Sequence, residues 1–132
     1  TFVSKQELLE KSDIIILILP HNPETHHFIG EQKWSLMKKD AVLVNMARGG
    51  IVDQDALKEA LIHNQIAGAA IDVFETEPSD DTALLSLPNL YCTPHTGGSS
   101  AESILAMGRS SISHLVEYFG SGRPDFKAAA QR

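Results

Sequence analysis

Four short stretches of this chain carry side chains that can do chemistry. Pro20, His21 and Asn22 follow an unbroken apolar run, and Ala47, Arg48, Gly49 and Gly50 follow a second one. Asp72 leads to Glu75 and Glu77, and Pro94 opens the string His95, Thr96, Gly97, Gly98. Arg48 offers a rigid fork of donors that suits a carboxylate and stays charged at any relevant pH. His95 can give or take a proton near neutrality. A carboxylate such as Glu77 beside it would fix its tautomer, and Gly97 and Gly98 would let a flat ring approach the backbone. Together these groups could hold a 2-oxo acid, polarise its carbonyl and protonate the oxygen as a hydride arrives. Each has a structural alternative. Arg48 could sit in a turn paired with Asp53, Asp72 could serve a local turn, and Glu75 and Glu77 could be solvated.

Those residues matter together only if the fold gathers them. Ser4 with Glu7 makes a capping box for a helix over 4–12, with Leu8 and Leu9 as its apolar face. Ile14 to Leu19 reads as a strand buried on both faces, stopped by Pro20. Gly30 to Met37 reads as a helix turning Trp34 and Met37 inward, and Ala41 to Met46 as a second strand. Asp53 caps a helix reaching about Asn64, with Leu57, Leu61 and Ile62 on one face. Gly68 to Val73 is the third strand and Leu90 to Thr93 the fourth, with a loop between them. Ser99 and Glu102 form a second capping box before a long helix closed by Gly120. Strands alternating with helices imply an open α/β parallel sheet of about four strands, helices on both faces. In such sheets ligands sit beyond the carboxyl ends of the strands, and all four polar stretches fall there.

The 132 residues are 42% hydrophobic, which excludes a disordered chain. With 11 Lys+Arg against 17 Asp+Glu, the net charge of −6 leaves no basic stripe for nucleic acid or an anionic membrane. The longest apolar run is far short of the roughly 20 residues of a membrane span. One cysteine, Cys92, fits a reducing compartment, so a cytoplasmic location is expected, with Cys92 as a small core filler. His21, His26 and His27 cluster in sequence, but no further ligand stands at a metal-binding spacing, so no metal site is expected. His63 and His114 fall on helix surfaces.

The stretches SDIIILILPHNPETHHFIG, MKKDAVLVNMARGGIVDQDALKEAL, IAGAAIDVFETEP and LPNLYCTPHTGGSSAES closely resemble the D-isomer-specific 2-hydroxyacid dehydrogenases. They match, in order and spacing, the second half of that family's NAD-binding domain. The resemblance implies a Rossmann-like fold over 1–120, with 121–132 as a tail toward a substrate domain. It implies hydride transfer between NAD(H) and a 2-hydroxy or 2-oxo acid, with NADP left open. Arg48 matches the arginine on the substrate carboxylate, Glu77 the glutamate supporting the histidine, and His95 the acid/base. Asp72, Met46, Ala47, Gly97 and Gly98, together with Arg48 and His95, match the nicotinamide side, and Pro20 and Thr25 the adenosine half. The family's Gly-x-Gly-x-x-Gly loop is not in these residues, nor is its substrate domain. The chain therefore reads as part of a longer enzyme, inactive or weakly active alone and expected to form a homo-oligomer. The alternative is a non-catalytic NAD-binding or interaction module of the same fold.

Overall fold

The computed structural model describes residues 2–120, so the tail expected over 121–132 lies outside the described residues. Two compact units divide between Thr96 and Gly97. The first holds α1 (Lys5–Lys11), β1 (Ile14–Leu17), α2 (Glu31–Trp34), β2 (Val42–Asn45), α3 (Gln54–Ile62), β3 (Gly68–Ile71), α4 (Thr82–Leu85) and β4 (Leu90–Cys92). The four strands pair in parallel in the order β1-β2-β3-β4. The strands expected from sequence are all present, each trimmed by one or two residues at an end.

The helix starts follow their caps. The Ser4 hydroxyl accepts from the Glu7 N–H, while the Glu7 carboxylate pairs with Lys11. Asp53 accepts from the Ala56 N–H at the start of α3. One turn of helix, α4, stands where a loop was expected. Asp81 caps it through the Leu84 N–H, and Lys58 of α3 bridges Asp55 and Asp81. The signal was an acidic cap before an apolar pair, too short to show a helical period.

The core lies against one face of the sheet. Ile15, Leu17, Leu43, Ala69 and Ile71 join Leu9 of α1, Trp34 of α2 and Leu57 and Leu61 of α3 in a single buried cluster. Met37 points inward as expected, and Cys92 is a half-buried neighbour of the cluster. The expectation that β1 is buried on both faces is corrected. Ile15 and Leu17 are buried, but Ile14 and Ile16 are 61% and 58% exposed. Side chains alternate along a strand, so only the face that meets helices is covered. Within this unit helix cover is therefore on one face. Ile51, fully buried, ends the 3-10 turn Gly49–Ile51 that follows the β2 loop. Ile51→Val is expected to cost about 1 kcal/mol, read by chemical denaturation.

The second unit contains α5 (Ala101–Gly120). Its cap differs by one residue from expectation: the Ser100 hydroxyl, not Ser99, accepts from the Ser103 N–H. No residue of α5 is buried.

Candidate active site

The β2 loop is built around a buried amide. Asn45, the last residue of β2, accepts from the Ala47 N–H and donates to the Arg48 carbonyl. That clasp turns the chain and projects Arg48 outward. The next residue, Gly49, lies directly against backbone: a Cβ there would come within 2.0 Å of the Phe74 carbonyl. The Arg48 guanidinium donates to the Ala47 carbonyl. Among the described residues it forms no ion pair, and the Asp53 carboxylate caps α3 instead. An exposed guanidinium held by its own loop and lacking a carboxylate partner is a receptor for an anion.

The β3 and β4 loops supply the acid/base pair. His95 Nδ1 lies 2.8 Å from Glu77 Oε2, and the other Glu77 oxygen accepts from the Phe74 N–H. If Nδ1 carries the proton that Glu77 accepts, Nε2 is the nitrogen left for a ligand. The Glu77 carboxyl is held below its usual range, chiefly by the His95 hydrogen bond and then by the Phe74 N–H. His95 has a φ of +54°, an uncommon backbone state for a residue with a side chain. Buried Asp72 braces this loop. Its Oδ1 accepts from the Thr93 hydroxyl and from the Thr96 N–H, one bond on each side of His95.

A depressed carboxyl sets the sign of an acid response. The stabilisation from ionised Glu77 is present above the ordinary value of 4.5 and is lost as pH falls through the lower folded value. Chemical denaturation against pH should therefore show the wild type and Glu77→Gln converging in acid and separating as pH rises. Parallel curves at every pH would contradict it.

Arg48, Glu77 and His95 line one cavity of about 450 Å³, together with His21, His26, Gly49, Gly50, Phe74 and Glu75. Pro20, Met46, Ala47 and Arg48 line a neighbouring one of about 700 Å³, and His21 and Arg48 border both. Thr25 lies elsewhere in use: its hydroxyl donates to the Pro20 carbonyl and accepts from the Asn22 N–H, closing that loop. Gly97 and Gly98 belong to the second unit, and a Cβ at Gly98 would meet nothing within 4 Å. Glu75, for which a solvated loop position is the structural alternative, is exposed and also accepts from the Gln54 N–H and lies 3.0 Å from His27 Nε2. The histidine triplet, dismissed as a metal site, forms a packed group beside Arg48. No spacing rule for metals could have shown that role.

The family described as D-isomer specific 2-hydroxyacid dehydrogenase, NAD binding domain, matches residues 1–97. The chain belongs to this family. The chain is 49% identical to D-3-phosphoglycerate dehydrogenase of Methanocaldococcus jannaschii over 77% of its own length and 20% of that protein. It is 41% identical to glyoxylate reductase of Pyrococcus horikoshii over 89% of this chain and 35% of the relative. Among solved structures, it resembles a glyoxylate reductase from Paecilomyes thermophila, with a TM-score of 0.87, 37% identity and coverage of 91% and 37%. It also resembles the NAD-complexed D-isomer specific 2-hydroxyacid dehydrogenase of Lactobacillus delbrueckii ssp. bulgaricus, with a TM-score of 0.86, 33% identity and coverage of 94% and 42%. The chain thus spans between about a fifth and two-fifths of the length of these proteins. No described helix is long and apolar enough to cross a membrane.

Proposed function

We propose that this domain serves an oxidoreductase that interconverts a 2-oxo acid and the corresponding 2-hydroxy acid. The observation that carries the reading is one cavity lined by an unpaired guanidinium, Arg48, and a hydrogen-bonded Glu77–His95 pair. Arg48 binds the substrate carboxylate through paired N–H donors and so orients the carbonyl. His95 gives its Nε2 proton to the carbonyl oxygen in reduction and takes it back in oxidation. Glu77 holds the ring by Nδ1, and the Phe74 N–H holds Glu77.

NAD, or NADP, supplies the hydride when bound. The neighbouring cavity fits such a group: it joins apolar walls from Pro20, Met46 and Ala47 to the Arg48 cation at the border of the reacting site. Asp72, Gly97, Gly98 and Thr25 are carried to the cofactor side by family resemblance. Asp72 acts in this reading at least through the loop that presents His95. The small 2-oxo acid is the partner, in a cytoplasmic homo-oligomer. Exposed Ile14 and Ile16 on the open sheet face support association.

The test is NADH oxidation with a panel of 2-oxo acids by an intact enzyme carrying this domain. Arg48→Gln should lower kcat/KM by about 10- to 100-fold, mainly through KM, because charge-assisted bonds to the substrate are lost. The 132-residue chain alone should turn over weakly or not at all. An intact enzyme inactive with every 2-oxo acid, yet binding NADH, would favour a non-catalytic module.

A further inference from the structure

Glu75 lines the reacting cavity, but its partners Gln54 and His27 do not. Its Oε1 accepts from the Gln54 N–H at 3.1 Å, at the first residue of α3, and lies 3.0 Å from His27 Nε2. An ionised carboxylate only accepts, so His27 Nε2 is the donor. The Glu75 N–H in turn donates to the Gln54 side-chain oxygen at 3.3 Å. Two bonds of opposite sense thus clasp the same two residues, 21 positions apart in the chain.

The supports of this clasp are themselves fixed. Helix α3 already has a cap in Asp53, which accepts from the Ala56 N–H, so Glu75 is not needed to start it. His27 stacks on His26 with centroids 3.9 Å apart, donates its backbone N–H to the Gly50 carbonyl, and has Asp53 3.7 Å from Nδ1. The His21 and His26 rings close over Gly50, where a Cβ would come within 2.9 Å of His21 Nε2. What the clasp holds is the turn from Phe74 to Glu77. The peptide between Phe74 and Glu75 is gripped at both ends, its carbonyl by the close approach of Gly49 and its N–H by Gln54. The Phe74 N–H then donates to Glu77 Oε1, and Glu77 Oε2 meets His95 Nδ1 at 2.8 Å.

We infer that Glu75, clasped to Gln54, is a positioning residue that fixes the 74–77 turn and through it the Glu77–His95 pair. The inference rests on the dehydrogenase reading for what His95 does. Glu75 touches no reacting atom. It acts by holding the turn that carries Glu77, and Glu77 in turn holds the His95 ring with Nε2 free for substrate. A catalytic group keeps its geometry only when the shell behind it is locked, and here that shell is tied to the start of a helix. The accepting oxygen does this work, so an amide in place of the carboxylate preserves it.

Two measurements test the role. In steady-state kinetics of an intact enzyme carrying this domain, with NADH and a 2-oxo acid, Glu75→Ala should lower kcat by about 10- to 100-fold and move KM less than about twofold. Glu75→Gln should restore kcat to within about threefold of wild type, since its amide oxygen still accepts from Gln54 and His27. The second measurement is nitrogen NMR of the full chain at mildly alkaline pH, which reads the nitrogen of the His95 ring that carries the proton. Wild type and Glu75→Gln should hold it on Nδ1, and Glu75→Ala should release part of it to Nε2. Gln54→Ala cuts one arm of the clasp and leaves the carboxylate, so it should move both readouts the same way by less, and it decides the matter if Glu75→Ala does not fold. An unchanged His95 tautomer in both alanine variants, an unchanged kcat in an active enzyme, or equal losses with Gln and Ala at position 75 would overturn the inference. A failed dehydrogenase reading would appear separately, as a wild-type enzyme without turnover, and the tautomer measurement would still decide the role of Glu75.

Discussion

Replacing His95 by Gln is expected to lower kcat of an intact enzyme carrying this domain by about 10²- to 10⁴-fold, the range a positioned proton donor contributes. Glutamine keeps the size of the side chain and can still meet the Glu77 carboxylate, so KM should move only a few-fold. What it cannot do is release and regain a proton at the substrate oxygen. The structure invests in holding this one ring. Glu77 meets Nδ1 at 2.8 Å, and the donors on either side of His95, the Thr93 hydroxyl and the Thr96 N–H, are tied to buried Asp72. His95 is kept in a positive-φ state that costs free energy unless the surroundings enforce it. Steady-state kinetics on His95→Gln with NADH and a 2-oxo acid is the measurement. An unchanged kcat would remove His95 from the reaction, and with it the acid/base role assigned to the β4 loop.

Gly49→Ala should have the largest effect on stability, about 3 kcal/mol or more. The added methyl would lie 2.0 Å from the Phe74 carbonyl carbon and oxygen and 2.4 Å from the Glu75 nitrogen. These are backbone atoms of the β3 loop, so no side-chain rotation relieves the overlap. Inserting volume into a packed site commonly costs 1–3 kcal/mol, and a backbone-on-backbone clash belongs at or beyond the top of that range. The same shift would displace the Phe74 N–H from Glu77 and loosen His95. Gly98→Ala is the control, since nothing lies within 4 Å of the added atom, and it should change stability by less than about 0.5 kcal/mol. Urea denaturation of the two variants decides the matter. Equal midpoints would mean that the β2 and β3 loops are not packed as described.

The choice between Glu75 and Glu77 shows where sequence reasoning stops. Both are loop carboxylates two residues apart, and residue type and spacing alone treat them alike; only family resemblance singled out Glu77. In the structure, Glu77 reaches His95, 18 residues on, while Glu75 reaches back 48 residues to His27. The histidine triplet was equally opaque. Its meaning depends on Gly50 and Glu75, both distant in sequence, and on ring stacking that no spacing rule encodes. Strand β1 failed for a different reason. Six branched residues in a row look the same whether one face or two will be covered, because cover is a property of what packs there.

Local order was set by the chain itself: the caps at Ser4 and Asp53, the branched strands and the alternation that makes the sheet parallel are short-range consequences of residue type. Placing Arg48 and His95 beyond strand ends also followed, since a strand's direction dictates which loops share an edge. Tertiary structure alone decided which carboxylate meets which imidazole, why Gly49 admits no side chain, and that the histidines close over Gly50. Those are contacts between loops far apart along the chain, and their distances are determined only when the strands between them pair.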